Sequence, residues 1–194
     1  MTISEVQNII RQSRKTNRPV IIGIEGYGGS GKTTLANMLD QRLGNAYIVN
    51  IDDFIVKEKI NEISWDKGAF DRARLESQVL APVSKGQDIR YQKLLWKTNK
   101  LSKPKVVPKV IDYLIVEGIS CYHPDIAHYY DYKIWIDTPL DIAKKRGQAR
   151  DANKENADKW DLWAENDRRY QEKYHPEKVA DFIVSNGAEE FLKS

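Results

Sequence analysis

Residues 26–33 read Gly-Tyr-Gly-Gly-Ser-Gly-Lys-Thr. This is the G-x-x-x-x-G-K-[ST] spacing of a phosphate-binding loop, with Gly26, Gly31, Lys32 and Thr33 at its fixed positions. Glycines let the backbone curl until successive N–H groups point at one anion. Lys32 is placed to reach the β- and γ-phosphates of a nucleotide, and the Thr33 hydroxyl to hold Mg²⁺. A helix starting here aims its positive end at the same anion. Gly26, Gly28, Gly29, Ser30, Gly31, Lys32, Thr33 and Thr34 are therefore the candidate nucleotide contacts. The rival is a chance glycine-rich turn, and the flanks argue against it. Val20–Ile24 reads as a buried parallel strand, and Leu35, Met38, Leu39 and Leu43 recur at helical spacing before Gly44.

Phosphoryl transfer also needs acids for Mg²⁺ and a group that orients or deprotonates the acceptor. Open α/β sheets bind ligands at the carboxyl ends of their strands, so acids there are the candidates. Asp52 and Asp53 close the run Tyr47–Ile51. An ordinary Asp, with a pKa of about 3.9, is ionised at neutral pH and can accept an alcohol proton. The alternative for this pair is capping of a turn. Glu117 closes Tyr113–Val116 and precedes Gly118, an apolar strand delivering one acid for Mg²⁺, through a water. Asp137, before Thr138-Pro139, reads as helix-start chemistry. Cys121, His123 and His128 lack the second cysteine of a convincing metal set, and Cys121 reads as a buried filler.

Arg146 and Arg150 lie one helical turn apart. They are either a lid pair closing over phosphates or a solvated basic face. Residues 151–170 mix acids and bases with Trp160 and Trp163, the composition of a mobile helical cover.

These residues need a scaffold. Apolar runs at 20–25, 46–51, 112–117, 132–137 and 181–185 read as strands. Helical patterns fall near 32–43, 69–81, 139–151 and 156–175. Such alternation predicts βαβ units and a parallel sheet covered on both faces. Residues 88–110 break the pattern and read as a hairpin at the sheet edge. Ile89–Trp96 goes out, Thr98-Asn99-Lys100 turns, and Leu101–Val107 returns past Pro104. Ahead of Pro19, Thr2-x-x-Glu5 is a capping box and Ile3, Val6, Ile9 and Ile10 share a face, so a helix is expected there rather than a targeting peptide.

The chain has 194 residues and a formal net charge of +3, with Lys and Arg spread among acids. That length suits one α/β domain over 1–194, and the charge argues against nucleic acid. A single cysteine excludes an internal disulfide framework and fits a reducing, cytoplasmic setting. No apolar stretch is long enough to cross a membrane. The Asn-Lys-x-Asp and Asp-x-x-Gly pair of a GTPase switch is absent.

Taken in order, these segments resemble the uridine kinase-like group of P-loop kinases, which includes phosphoribulokinase, nicotinamide riboside kinase and bacterial pantothenate kinase. The likeness runs from about residue 19 to 187. It rests on residues 26–34, Asp52-Asp53-Phe54, Trp65-Asp66-Lys67-Gly68-Ala69-Phe70-Asp71, Ile115–Gly118, Lys133–Pro139 and Ala180–Val184. The resemblance implies a P-loop three-layer sandwich with a five-stranded parallel sheet, a small edge hairpin and a lid over about 146–165. It implies ATP and Mg²⁺ and a small-molecule alcohol as acceptor, in a group whose members are often homo-oligomers, dimers or tetramers. Asp52 is then the acid that activates the acceptor, Thr33 and Glu117 attend Mg²⁺, and Lys32, Arg146 and Arg150 stabilise the transferring phosphoryl group. Asp53 falls on the acceptor side, Asp66 matches a sugar-binding Asp, and Tyr91 matches a hairpin aromatic that packs on the nucleobase. The chain departs from uridine kinases at Ile55, at Trp96 and in the lid, which reads Asn153-Lys154-Glu155-Asn156. These departures fall on acceptor recognition and the lid, while the phosphate machinery is kept. A non-nucleoside acceptor, such as a sugar or a pantothenate-like vitamin, and a nucleotide-binding regulatory module are the alternatives.

Overall fold

The computed structural model describes residues 1–14, 17–59, 65–66, 68–154 and 157–186. In chain order the strands are β1 Val20–Glu25, β2 Ala46–Asn50, β3 Ile89–Tyr91, β4 Leu94–Leu95, β5 Lys100–Leu101, β6 Lys105–Val107, β7 Tyr113–Glu117, β8 Tyr132–Asp137 and β9 Phe182–Ser185. The main sheet runs β2-β7-β1-β8-β9 with every pair parallel. Every residue of β1 and β7 is buried, as expected of parallel strands covered on both faces. In register, Glu117 lies opposite both Ile24 and Asn50. The carboxyl ends of β1, β2 and β7 therefore finish along one line.

The helices are α1 Ile3–Gln12, α2 Lys32–Leu43, α3 Arg72–Leu75, α4 Ala81–Ser84, α5 Leu140–Asp151, α6 Trp160–Tyr174 and α7 Pro176–Val179. Alternate residues of each strand serve opposite faces. Ile22, Ile24 and Ile115 pack with Ile3, Val6, Ile10, Leu35 and Leu39 of α1 and α2. Ile21, Leu114 and Val116 pack with Phe54, Leu75, Val79, Tyr91 and Tyr170 on the other face. The Thr2–Glu5 capping box forms as its spacing predicts.

Three expectations change in detail. The expected helix over 69–81 begins at Arg72, where Asp71 caps the Arg74 N–H, and reaches Ser84 through a π-helical turn at Glu76–Leu80. The outgoing hairpin strand breaks in two. β3 pairs with β6 and β4 with β5, both antiparallel. The break falls at Gln92 and Lys93, whose N–H groups donate to Gln78 Oε1 and Ser102 Oγ instead of a ladder partner. The helix expected over 156–175 starts at Trp160 after a 3₁₀ turn at Ala157–Lys159. Glu155 and Asn156 of the expected lid, and Lys67 of the acceptor-side segment, lie outside the described residues.

α5 and α6 approach closely because Gly147 has no side chain. A Cβ there would stand 2.1 Å from the Trp160 ring. The Lys144–Asp161 ion pair closes the same contact. Gly147→Ala should displace the indole and destabilise the protein by about 1–3 kcal/mol through overpacking. Urea unfolding checks it, and an unchanged midpoint would mean that the ring is not seated on α5.

Candidate active site

The loop after β1 turns its N–H groups inward only if Gly29 adopts φ +82°, and a Cβ there would stand 2.1 Å from the Ala143 carbonyl. Its outer polar groups find partners. Lys32 Nζ donates to the carbonyls of Gly26 and Tyr27 at 2.9 and 2.8 Å. Thr138 Oγ1 and Asn186 Nδ2 donate to the Ser30 carbonyl at 3.3 and 2.6 Å. The Gly28 N–H donates to Asp167 Oδ2 at 2.6 Å.

Three acids bracket this loop. Asp52 follows β2 on a 3₁₀ turn capped by Asn50, whose Oδ1 accepts the Asp52 N–H at 2.8 Å. Its side chain is exposed at the cleft, with protein crowded around it. Desolvation by the surrounding protein raises its pKa above the ordinary Asp value, helped by Asp53 and opposed by Lys32 and Arg150. Glu117, at the end of β7, accepts from Thr33 Oγ1 at 3.1 Å and from Asn50 Nδ2 at 2.7 Å. Burial raises its pKa too, with Lys32 opposing. Glu25 closes β1 behind the loop and accepts the Tyr122 N–H at 2.8 Å. Full burial pushes its pKa up to about 8, and its Oε2 has no hydrogen-bond partner among the described residues.

Gly28, Gly29, Lys32, Thr33, Asn50, Asp52, Glu117 and Arg150 line one cleft of about 170 Å³. Its other walls are Ile55, Trp65, Phe70, Trp96, Ile119, Trp160 and Trp163, with Asp167. The wall segment is drawn in by antiparallel pairing of Ile55 with Phe70. Trp160, Trp163 and Asp167 sit at i, i+3 and i+7 on α6, one helical face. A hydroxyl beside a carboxylate offers the few hard oxygens that suit Mg²⁺, which keeps other positions for water and phosphate. Among the described residues no cluster of three or more His, Cys, Asp or Glu could hold a metal by itself.

Of the residues singled out from the sequence, Lys32, Thr33, Asp52, Glu117 and Arg150 meet at this cleft. Gly26, Ser30 and Gly31 shape the loop behind it, and Thr34 is exposed on α2. Four positions lie elsewhere. Tyr91 is fully buried, stacked on Phe54 with its hydroxyl 3.1 Å from that of Tyr47, so no face is left for a base. Asp66 pairs with Lys173 at 2.5 Å, and Asp53 with Lys93 at 2.7 Å. Arg146 donates to the Asn186 carbonyl at 2.9 Å, so only its neighbour reaches the cleft. Arg150 stacks on Trp160 at 5.6 Å and makes two hydrogen bonds to Asp151. Asn50, Trp65 and Asp167 were not anticipated. The spacing of Trp160, Trp163 and Asp167 was the available signal for the cover's inner face.

The fold and this cleft define a P-loop nucleotide-binding protein. A family model described as an AAA domain matches residues 22–174. The chain is 31% identical over 148 residues to a uridine kinase of Lactobacillus helveticus, covering 71% of this chain and 70% of that one. It is 30% identical over 160 residues to uridine kinase-like protein 3 of Arabidopsis thaliana, covering 76% of this chain but 34% of the relative, so it spans about a third of that protein's length. The solved structure of a possible uridine kinase from Bacillus stearothermophilus shares the fold, with TM-score 0.70 and 21% identity over 94% of this chain and 96% of that chain. The chain belongs to the uridine kinase-like group of P-loop kinases.

Glu25 makes stability depend on pH. Its folded pKa lies above the unfolded value, so its contribution is complete below about 4.5 and is lost as pH rises through about 8. Glu25→Gln should therefore gain on the parent protein by about 1.4 kcal/mol per pH unit between those limits. Urea unfolding of both proteins at pH 5 to 8 checks this, and parallel stability curves would contradict it.

Proposed function

We propose that the protein is an ATP- and Mg²⁺-dependent kinase that transfers the γ-phosphoryl group to an alcohol of a nucleoside or related metabolite. The observation that carries this reading is the convergence of Lys32, Thr33, Asp52 and Glu117 on one cleft at the strand ends. Holding a nucleotide requires the loop alone. An acid facing the loop from the next strand is what transfer to an acceptor adds.

In this reading Lys32 leaves its loop carbonyls for the phosphate oxygens. Asp52 orients the acceptor hydroxyl and takes its proton as the oxygen bonds to the γ-phosphorus and the bond to the β–γ bridging oxygen breaks. A raised pKa suits a carboxylate to that task. Mg²⁺, held by Thr33 and Glu117, supplies charge neutralisation at the phosphates when bound. A cleft of about 170 Å³ is small beside the roughly 300–1,000 Å³ of ordinary ligand sites. In this reading residues 146–165, whose Arg150, Trp160 and Trp163 line the cleft, act as a lid that opens to admit nucleotide and acceptor, within one kinase domain over 1–194. The free, buried Cys121 suits a reducing cytoplasm.

The acceptor walls support a second reading of the substrate. Trp65, Phe70, Trp96 and Trp163 present flat apolar surface, while Asp53 and Asp66 are engaged by lysines. Such walls favour an alcohol with a planar or apolar part over a simple sugar, and a vitamin-like acceptor fits them as a nucleoside does.

Asp52→Asn should lower kcat by about 10²–10⁴-fold while Mg·ATP still binds. ADP release, measured against nucleosides, nicotinamide riboside, pantothenate and simple sugars, tests it. Turnover at the parent rate would remove Asp52 from this role. Lys32→Ala should lose Mg·ATP affinity as well as turnover, measured by calorimetry alongside. Tight Mg·ATP binding with no acceptor-dependent release from any member of the panel would favour a regulatory module.

A further inference from the structure

Asp167 stands on α6, outside the sequence motifs and outside the transfer step. It is 3% exposed. Two N–H donors from different parts of the site meet its two oxygens. The Gly28 N–H of the phosphate loop donates to Oδ2 at 2.6 Å, and the Trp65 indole N–H donates to Oδ1 at 2.8 Å. One donor on each oxygen is the arrangement that suits an ionised carboxylate, and such bonds are about twice as strong as neutral ones.

Both ends of this bridge are held. The buried Arg72 donates to the carbonyls of Trp65 and Asp66 at 3.1 and 2.8 Å, which fixes the backbone beneath the indole. On the loop side, a Cβ at Gly28 would stand 3.1 Å from the Trp160 ring and 3.3 Å from Asp167 Oδ2. Tyr170, three residues further along α6, donates to Glu25 at 3.4 Å, so the helix is also registered on the strand that feeds the loop.

We propose that Asp167 is a positioning residue that couples the acceptor wall to the phosphate loop, setting the pose of Trp65 and the conformation of Gly28 through one carboxylate. The proposal rests on the kinase reading above for the identity of the two sites. A nucleotide that orders the loop at Gly28 steadies the carboxylate, and through it the indole facing the acceptor. By linkage the effect is reciprocal, so ordering Trp65 tightens nucleotide binding. Trp65→Phe isolates this coupling, because it keeps an aromatic wall and leaves the loop untouched while removing one donor from a buried charge.

The test uses the full chain, Mg·ADP as the probe, calorimetry for affinity and ¹⁵N spectra of the indole N–H groups, with Trp65→Phe assigning its own resonance. The Trp65 signal should shift when the parent protein is saturated with Mg·ADP. Trp65→Phe should bind Mg·ADP about tenfold more weakly, the effect of losing one hydrogen bond to a charged group. Asp167→Asn should weaken binding similarly and abolish the Trp65 response, with the other indole signals in place. A Trp65 signal indifferent to Mg·ADP, or parent-like affinity in Trp65→Phe, overturns the coupling while leaving the kinase reading intact. If Asp167→Asn fails to fold, the Trp65→Phe affinity decides alone. Failure of the parent protein to bind Mg·ADP overturns the nucleotide reading, and the coupling with it.

Discussion

A loop that turns its N–H groups toward an anion turns other backbone polar groups back into the protein, and buried polar groups must be bonded. The rest of the structure is arranged around that constraint. The carbonyls of Gly26 and Tyr27 are taken by Lys32 from α2. The Ser30 carbonyl is taken by Thr138 and Asn186, each one residue past the end of β8 and β9. The Gly28 N–H is taken by Asp167 from α6. The loop's shape is thus a property of two further strands and two helices, which is why eight consecutive residues specify it only when the whole sheet is in place.

Charge follows from the same crowding. Glu25, Asp52, Glu117 and Asp167 all have pKa values raised first by desolvation, and Lys32 opposes the rise in each. One ammonium is shared among four carboxyls. In the proposed reading a polyphosphate would meet the charges of Asp52, Glu117 and Asp167 beside Lys32 and Arg150, so a divalent cation held by Thr33 and Glu117 would answer an electrostatic need set by the protein's own residues. The aromatic cover sharpens the effect, because Trp160 and Trp163 exclude water and lower the local dielectric.

Much of this was legible along the chain. The central strands β1 and β7 were readable because they are buried on both faces and carry near-unbroken apolar runs, as in Val20–Ile24, whereas β2, β8 and β9 are only partly buried and were readable from shorter apolar runs. Asp52 and Glu117 were readable because a strand end is a local feature with a known place in a parallel sheet. The hairpin was readable as a hairpin, but the break at Gln92 depends on Gln78, fourteen residues away. Tyr91 was misplaced because an aromatic in a short strand can face a ligand or the core, and Phe54 and Tyr47 settle which. Arg146 and Arg150 share a helical spacing, yet the end of β9 claims one and the cleft the other.

Residue type and spacing by themselves determined the phosphate-loop motif, the succession of strands and helices along the chain, and the acids at the strand ends, since each is written in a short stretch of consecutive residues. Only the tertiary structure decided which polar groups are spent on one another and which face the cleft. Lys173 claims Asp66 across 107 residues, and Asp167 reaches Gly28 across 139 and Trp65 across 102. Partners so far apart leave no periodicity in the sequence, because what joins them is the packing of α6 across the mouth of the sheet.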